Sequence, residues 1–332
     1  MIKSVTISPY ESNSEIGVKS RSLVKDLSSC DNINNTNCSI YDRQVEVSGI
    51  QELPIENPDL CIQYVNYENF VKTRYTNVGV FEPTLKGVIE QENFLRLLDK
   101  IVVRSHSQKK IIPKPLRKNV LVARPTVAKA PKQSSMKHIT KNTCFLASSL
   151  GEYTNLEVVI RAYLTSFTSS DNVVLNVLSD SPQELVSFIN KIKEGINVFT
   201  KVDLYPTIAI YSDNSVYEKS NCFIDATMDY SISLPTMISA SYATPIITCN
   251  HDGIFEWLDE KYCYLVKSSE GRRSSHLIGN IPNELHLAET MKRVVNNKKE
   301  FRNKQEMMIR SGYKSFYYKH NKSVGDVICS MC

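Results

Sequence analysis

The densest run of polar-ligand chemistry lies between residues 222 and 236, which read Cys-Phe-Ile-Asp-Ala-Thr-Met-Asp-Tyr-Ser-Ile-Ser-Leu-Pro-Thr. Cys222 to Ala226 is an apolar run bounded by polar residues, the pattern of a fully buried parallel strand. Asp229, Tyr230, Ser231 and Ser233 follow it and lead into Leu234-Pro235 and Thr236. Proline in a first helical turn loses no hydrogen bond, and Ser233 is placed to cap the free N–H groups there. An end of this kind attracts an anion. The helix continues through small residues, Ser239, Ala240, Ser241 and Ala243, to Pro245 and a strand Ile246-Ile247-Thr248. Helix and sheet can therefore approach closely, as in a βαβ half-unit.

Other groups with chemical potential are scattered. Pro9 to Gly17 is a polar loop carrying Glu11, Ser12, Asn13, Ser14 and Glu15. Its two carboxylates repel anions and can accept hydrogen bonds from hydroxyl groups. His106 follows Ser105 at a helix start and can donate to a phosphate or sugar oxygen, although a lone His is more often an ordinary surface or capping residue. His251 lies in a turn beside Asp252-Gly253, and Glu256 and Trp257 fit a helix after it, the Trp as a packing residue. Between Asp99 and Glu152 no acidic residue occurs, while Lys100, Arg104, Lys109, Lys110, Lys114, Arg117, Lys118, Arg124, Lys129, Lys132, Lys137 and Lys141 all fall there. Such a run suits nucleic acid, a phospholipid surface or a nucleotide diphosphate, and equally a solvated linker. Aromatic residues are absent from Lys100 to Thr143, which argues against the stacking used by single-strand and RNA binders.

These residues must be positioned by alternating strands and helices. Ile2, Val5 and Ile7 make a first strand, followed by a helix over Gly17–Leu27. A strand is expected near Ser39–Val47 within a Ser, Asn and Asp-rich stretch, then strands at 58–62, 75–81 and 101–103, a helix over Gly87–Leu98 and a last strand at 119–125. Pro125, Pro131, lysines and Ser134-Ser135 mark an exposed connector. Beyond it come strands at 143–147, 172–178 and 208–211 and helices over Thr154–Phe167 and Pro182–Lys193. Amphipathic helices over Glu284–Asn296 and Phe301–Tyr318 follow. With 332 residues, 42% hydrophobic and 23% charged, the chain can build two domains, each with its own core. No apolar run reaches the ~20 residues of a membrane span, and MIKSVTISPY enters a strand without a signal-peptide core, so a cytoplasmic protein is expected. Nine cysteines at scattered spacings form no paired framework and read as free thiols; Cys329 and Cys332 have CxxC spacing but lack partners for a zinc site.

The segment from Asn221 to Val266 resembles the donor-binding signature of the GT-B glycosyltransferases of the retaining, glycogen-synthase-like group. Leu234-Pro235, Ala240, Ala243, Pro245-Ile246-Ile247, Gly253, Glu256 and Leu265-Val266 fall in that family's order. The first half is also similar, through Asn77 to Thr84, Leu98 to Val103 with Ser105, and Asn119 to Pro125. The resemblance implies an α/β protein with two Rossmann-like domains facing across a cleft and C-terminal helices packing back on the N-domain. The implied division is an acceptor-side domain at 1–124, a basic connector at 125–142, a nucleotide-sugar domain at 143–314 and a returning helix at 315–332. Donor binding is implied for Ser148, Ser149, Thr154, Asn155, Asp229, Tyr230, Ser231, Ser233, Leu234 and Thr236. Asp229 and His106 are the implied catalytic residues, and Glu11, Ser12, Asn13, Ser14 and Glu82 stand on the acceptor side.

Two departures stand out. Where the family places cations for the donor diphosphate, this chain has Ala147-Ser148-Ser149 and Thr154-Asn155, and Ile238 occupies the position of a ribose-binding glutamate. The expected activity is transfer of a sugar from a UDP-, GDP- or ADP-sugar to a hydroxyl of a glycan, protein or modified DNA base, with no metal and no permanently bound cofactor. In a retaining enzyme the leaving phosphate itself can assist the acceptor, so no dedicated base is required. Two alternatives remain: a glycosyltransferase-like subunit that binds without turnover, and a viral enzyme acting on modified DNA bases, suggested by the basic run and by an Asn, Lys, Ile and Ser-rich composition. The last would place the protein in a host cytoplasm.

Overall fold

The computed structural model describes residues 1–11, 15–39, 57–65, 67–82, 92–123, 143–149, 154–199, 204–227, 233–249, 254, 256, 258–272, 278–312 and 322–331. The chain forms two compact units, Met1–Ala128 with His320–Cys332, and Lys129–Lys319. Among the described residues no helix is long and apolar enough to cross a membrane.

The first unit is built on β1 (Ile2–Ser8), α1 (Glu15–Ser28), β2 (Ile33–Ser39), β3 (Leu60–Gln63), β4 (Thr76–Val80), β5 (Lys100–Val103), α2 (His106–Ile111) and β6 (Val120–Val122). Its six strands lie parallel in the order β2-β1-β3-β4-β5-β6. Both faces are covered, so most of the strands are apolar at successive positions. Cys61, Ile101 and Val103 enter one core with Val5 and Ile7, while Leu60, Ile62, Val78, Val80 and Val102 enter the other with Leu23 and Leu27 of α1. β2 is the exception. In its sequence INNTNCS, Ile33 is the one buried apolar residue among those whose side chains are described, and the strand is joined to β1 by side chains as well as backbone. Ser4 Oγ and Thr6 Oγ1 each donate to Asn35 Oδ1 at 2.8 Å.

The second unit contains β7 (Thr143–Ser148), α3 (Leu156–Ser166), β8 (Val173–Leu178), α4 (Pro182–Phe199), β9 (Thr207–Tyr211), α5 (Val216–Lys219), β10 (Cys222–Asp225), α6 (Leu234–Ser241), β11 (Ile246–Cys249) and β12 (Cys263–Val266). An antiparallel pair, β13 (Ser268–Arg272) and β14 (Ile278–Pro282), precedes α7 (Glu284–Asn296) and α8 (Lys298–Met307). The six parallel strands run β12-β11-β10-β7-β8-β9, the strand order of a dinucleotide-binding sheet. Phe145, Ile160, Tyr163, Leu175, Ile224 and Met291 meet in its main core.

A last helix, α9 (Val324–Cys329), belongs to the first unit. Val324, Val327 and Ile328 join the core beneath α1, and Gly325 N donates to Asp26 Oδ2 at 2.9 Å.

Several boundaries differ from the sequence reading. β2 at Ile33–Ser39 has no counterpart in the sequence reading, because Asn side chains rather than an apolar pattern help hold it to β1; the strand expected at Ser39–Val47 lies, past Ser39, outside the described residues. The helix expected from Phe301 begins at Lys298, where Asn297 caps it by accepting from Glu300 N at 3.1 Å, and it passes into a π-type turn over Met308–Gly312.

Candidate functional site

In open α/β sheets, ligands bind outside the carboxyl ends of the strands where strand order reverses. In the second unit that point lies between β7 and β10. Asp225 closes β10 there, 3% exposed, and its carboxylate organises the rim. Oδ1 accepts from Thr227 Oγ1 at 2.7 Å and from Thr227 N at 3.2 Å. Oδ2 accepts from Ser233 Oγ at 3.3 Å and from Thr236 Oγ1. Ser233 Oγ in turn accepts from Thr236 N at 3.1 Å, the N-cap bond of α6. One buried carboxylate thus ties the end of β10 to the start of α6.

The opposite side of the rim comes from the β7–α3 connection. Ser148 and Ser149 stand at the carboxyl end of β7, where Ser149 N and Oγ both donate to Leu178 O, at 2.9 and 3.1 Å. Thr154 forms an antiparallel bridge with Thr227. Asn155, 1% exposed, donates through Nδ2 to Ala226 O at 2.7 Å and to Asn280 O at 3.0 Å. Its amide therefore locks the start of α3 to the end of β10. Ile238 is half-buried on α6 and offers no hydrogen bond to a ribose.

In the first sheet the reversal lies between β1 and β3, and a charged cluster gathers at the same carboxyl edge. Glu82, two residues past β4, accepts from Lys19 Nζ of α1 at 2.6 Å and from Tyr64 OH at 3.0 Å, with Arg104 Nε at 3.7 Å. Arg104, 5% exposed, follows β5 and lies 5.5 Å over the Tyr64 ring. Burial by itself would raise the Glu82 carboxyl, but Lys19 and Arg104 outweigh it and hold the group below its ordinary value. Burial and then Glu82 push the Tyr64 phenol up, so it stays a donor. His106 begins α2, where Ser105 caps by accepting from Gln108 N at 3.0 Å. Glu11 is exposed beyond β1.

No protein-family model and no curated sequence matches the chain. Solved structures match it along nearly its whole length. Anabaena HepE in complex with UDP and glucose aligns over 100% of this chain and 99% of its own, with a TM-score of 0.69 at 9% identity. Sucrose-phosphate synthase from Thermosynechococcus elongatus aligns over 100% and 98%, with a TM-score of 0.64 at 10% identity. A glycosyltransferase from Rickettsia africae aligns over 99% and 96%, with a TM-score of 0.59 at 11% identity. The chain has the GT-B fold.

Within this GT-B chain, the second unit brings Ser148, Ser149, Thr154, Asn155, Ser233, Leu234 and Thr236 to the carboxyl edges of two adjacent strands. Glu11, Glu82 and His106 belong to the first unit. Asp229, Tyr230, Ser231, Ser12, Asn13, Ser14 and His251 lie outside the described residues. Sequence reasoning missed Asp225, which looks like the polar end of an apolar strand; its signal is an acid followed by Thr at +2, Ser at +8 and Thr at +11. Part of the basic run is engaged in folding. Lys109 Nζ donates to Val120 O at 2.7 Å, and Arg117 donates to Ile112 O at 2.6 Å and also to Lys110 O. Residues 124–142, with Arg124, Lys129, Lys132, Lys137 and Lys141, lie outside the described residues. Among those described, no group of three His, Cys, Asp or Glu side chains is arranged to hold a metal ion.

Proposed function

We propose that the chain is a glycosyltransferase that moves a sugar from a nucleotide-sugar to a hydroxyl acceptor. The observation that carries this is the Asp225-centred hydroxyl rim at the switch point of the second sheet, in a chain of GT-B fold. HepE, which shares that fold from end to end, is solved with UDP-glucose and with UDP. The second unit takes the donor. Ser148, Ser149, Thr154 and Ser233 offer hydroxyls to it, and Asp229, Tyr230 and Ser231, between β10 and α6 in sequence, are assigned to the sugar. Asn155 acts by fixing that edge. The bond between the anomeric carbon and the diphosphate oxygen breaks, an acceptor oxygen bonds to that carbon, and the acceptor proton passes to the departing diphosphate. The acceptor belongs at the carboxyl edge of the first sheet, near Glu11, Glu82 and His106.

A second reading, a subunit that binds a nucleotide-sugar without turnover, is favoured by Ile238 and by the absence of Arg or Lys from Ala147 to Asn155. Thermal-shift titration with UDP-, GDP- and ADP-sugars, followed by a donor-hydrolysis assay, separates the two. Transferase action requires that one nucleotide class raise the melting temperature and be hydrolysed. A shift without hydrolysis selects the binding subunit, and a folded protein indifferent to every donor sinks both. A modified DNA base as acceptor predicts duplex binding that weakens steeply with salt, which a mobility-shift titration reads directly.

A further inference from the structure

Two thiols at opposite ends of the chain meet in the first unit. Cys30 lies just past α1 and Cys329 ends α9, and both thiols pack at the edge of the same core where these two helices meet. The approach is close because the facing position on α9 is glycine. A Cβ on Gly325 would fall 2.4 Å from Cys30 Sγ, and Cys329, one turn further on, lies on the same face. Gly325 N bonded to Asp26 Oδ2 fixes the register of the two helices. Both thiols are free, partly exposed and packed at the edge of the same apolar core. Cys61, Cys222, Cys249 and Cys263 are buried, and burial pushes the thiols of Cys249 and Cys263 up to about 12, so those are protonated and shielded.

We infer that Cys30 and Cys329 form a reversible disulfide that fastens α9 to the end of α1. The oxidant is a small disulfide of the glutathione type. Burial, then Cys329, Asp26 and Asp326, raise the Cys30 thiol to about 11, so exchange starts at Cys329. The Cys329 thiolate attacks one sulfur of glutathione disulfide and releases one glutathione thiolate. Cys30 then loses its proton, attacks Cys329 Sγ in the mixed disulfide and releases the second. Two protein thiols are oxidised to one disulfide, one glutathione disulfide is reduced to two glutathiones, and the two protons end on them. Because the bond joins residues nearly the whole chain apart, it constrains the unfolded state over a long loop.

The test uses the full chain equilibrated with glutathione disulfide, alkylated, digested without reductant and read by tandem mass spectrometry. The expected result is a peptide linking Cys30 to Cys329, retained in Cys332→Ser and absent in Cys329→Ser. The oxidised wild type should also unfold at higher temperature than the reduced protein, a difference that vanishes in Cys329→Ser. A Cys30–Cys332 link, glutathione on both cysteines without a link, or both thiols fully alkylated would each overturn the inference. The wild-type peptide map stands even if a serine variant folds poorly.

Discussion

Asp225 makes the sharpest demand of any residue because its two oxygens face different partners. Oδ1 accepts from a backbone N–H, which cannot reverse its role, whereas Oδ2, among the described residues, meets the hydroxyls of Ser233 and Thr236, which can turn and accept. Asp225→Asn should therefore be mild, with its new amide toward the hydroxyls. Asp225→Ala should lower stability by about 1–3 kcal/mol and weaken donor binding with it. Urea unfolding of both variants decides this; equal losses would mean that charge, not geometry, holds the rim. Glu82 supplies a pH prediction. Its carboxyl titrates below its ordinary 4.5, so the folded protein keeps it charged where the unfolded chain takes up a proton. That stability is complete above the unfolded value and disappears as pH falls through the lower folded one. Asp99 acts in the same direction: burial opposes, but Asn77 N–H and Lys72 hold it below 3.8. In acid titration of unfolding free energy between about pH 6 and pH 3, Glu82→Gln should show a shallower decline than wild type. At neutral pH it should be less stable by about 1–3 kcal/mol. An unchanged slope would refute the assignment. Ile238→Glu, on the half-buried face of α6, should tighten binding of a ribose-bearing donor if the rim is the nucleotide site; unchanged donor affinity would move the ribose elsewhere.

Among the elements, α6 ends in a way its sequence does not advertise. Ala243 has φ 54°, its N–H bonds Ala240 O at 2.9 Å, and Thr244 N bonds Ser239 O at 3.1 Å, a Schellman closure with alanine where glycine is usual. Ala243→Gly removes the Cβ clash of the left-handed region and should stabilise the protein by about 0.5–1 kcal/mol, after allowance for the greater freedom of glycine when unfolded. A lower melting temperature in the variant would contradict this. Strands such as Val173–Leu178 and Cys222–Asp225 are apolar runs between polar ends and are legible, as is the Ser233 cap. β2 is not, since its pairing rests on Asn35 bridging to Ser4 and Thr6, a partnership set by residues about thirty positions away. Asp225 is hidden for a related reason: its partners are scattered along a loop and a helix start, and no period joins them. The cluster at Glu82 draws on α1 and the ends of three strands, so only the folded sheet assembles it.

Over the whole molecule, α9 is the piece that sequence order makes least obvious. Val324, Val327 and Ile328 are 2%, 4% and 0% exposed, so deleting residues 323–332 strips three apolar side chains from the core beneath α1. At about 1.5–3 kcal/mol for each buried side chain, the loss is comparable to the stability of an ordinary domain. The truncated protein should lose the protease resistance of α1 and β3 while the second unit remains protected; limited proteolysis followed by mass mapping measures it. The return of α9 also has a consequence in time. A ribosome completes β1 to β6 early, yet the core under α1 stays open until some 200 further residues have been made, roughly 10–40 s at ~5–20 residues per second. Throughout that interval the second unit can finish folding while Leu23, Leu27 and Leu60 lack their last cover, so a nascent-chain chaperone would find its substrate in the half of the protein that was synthesised first.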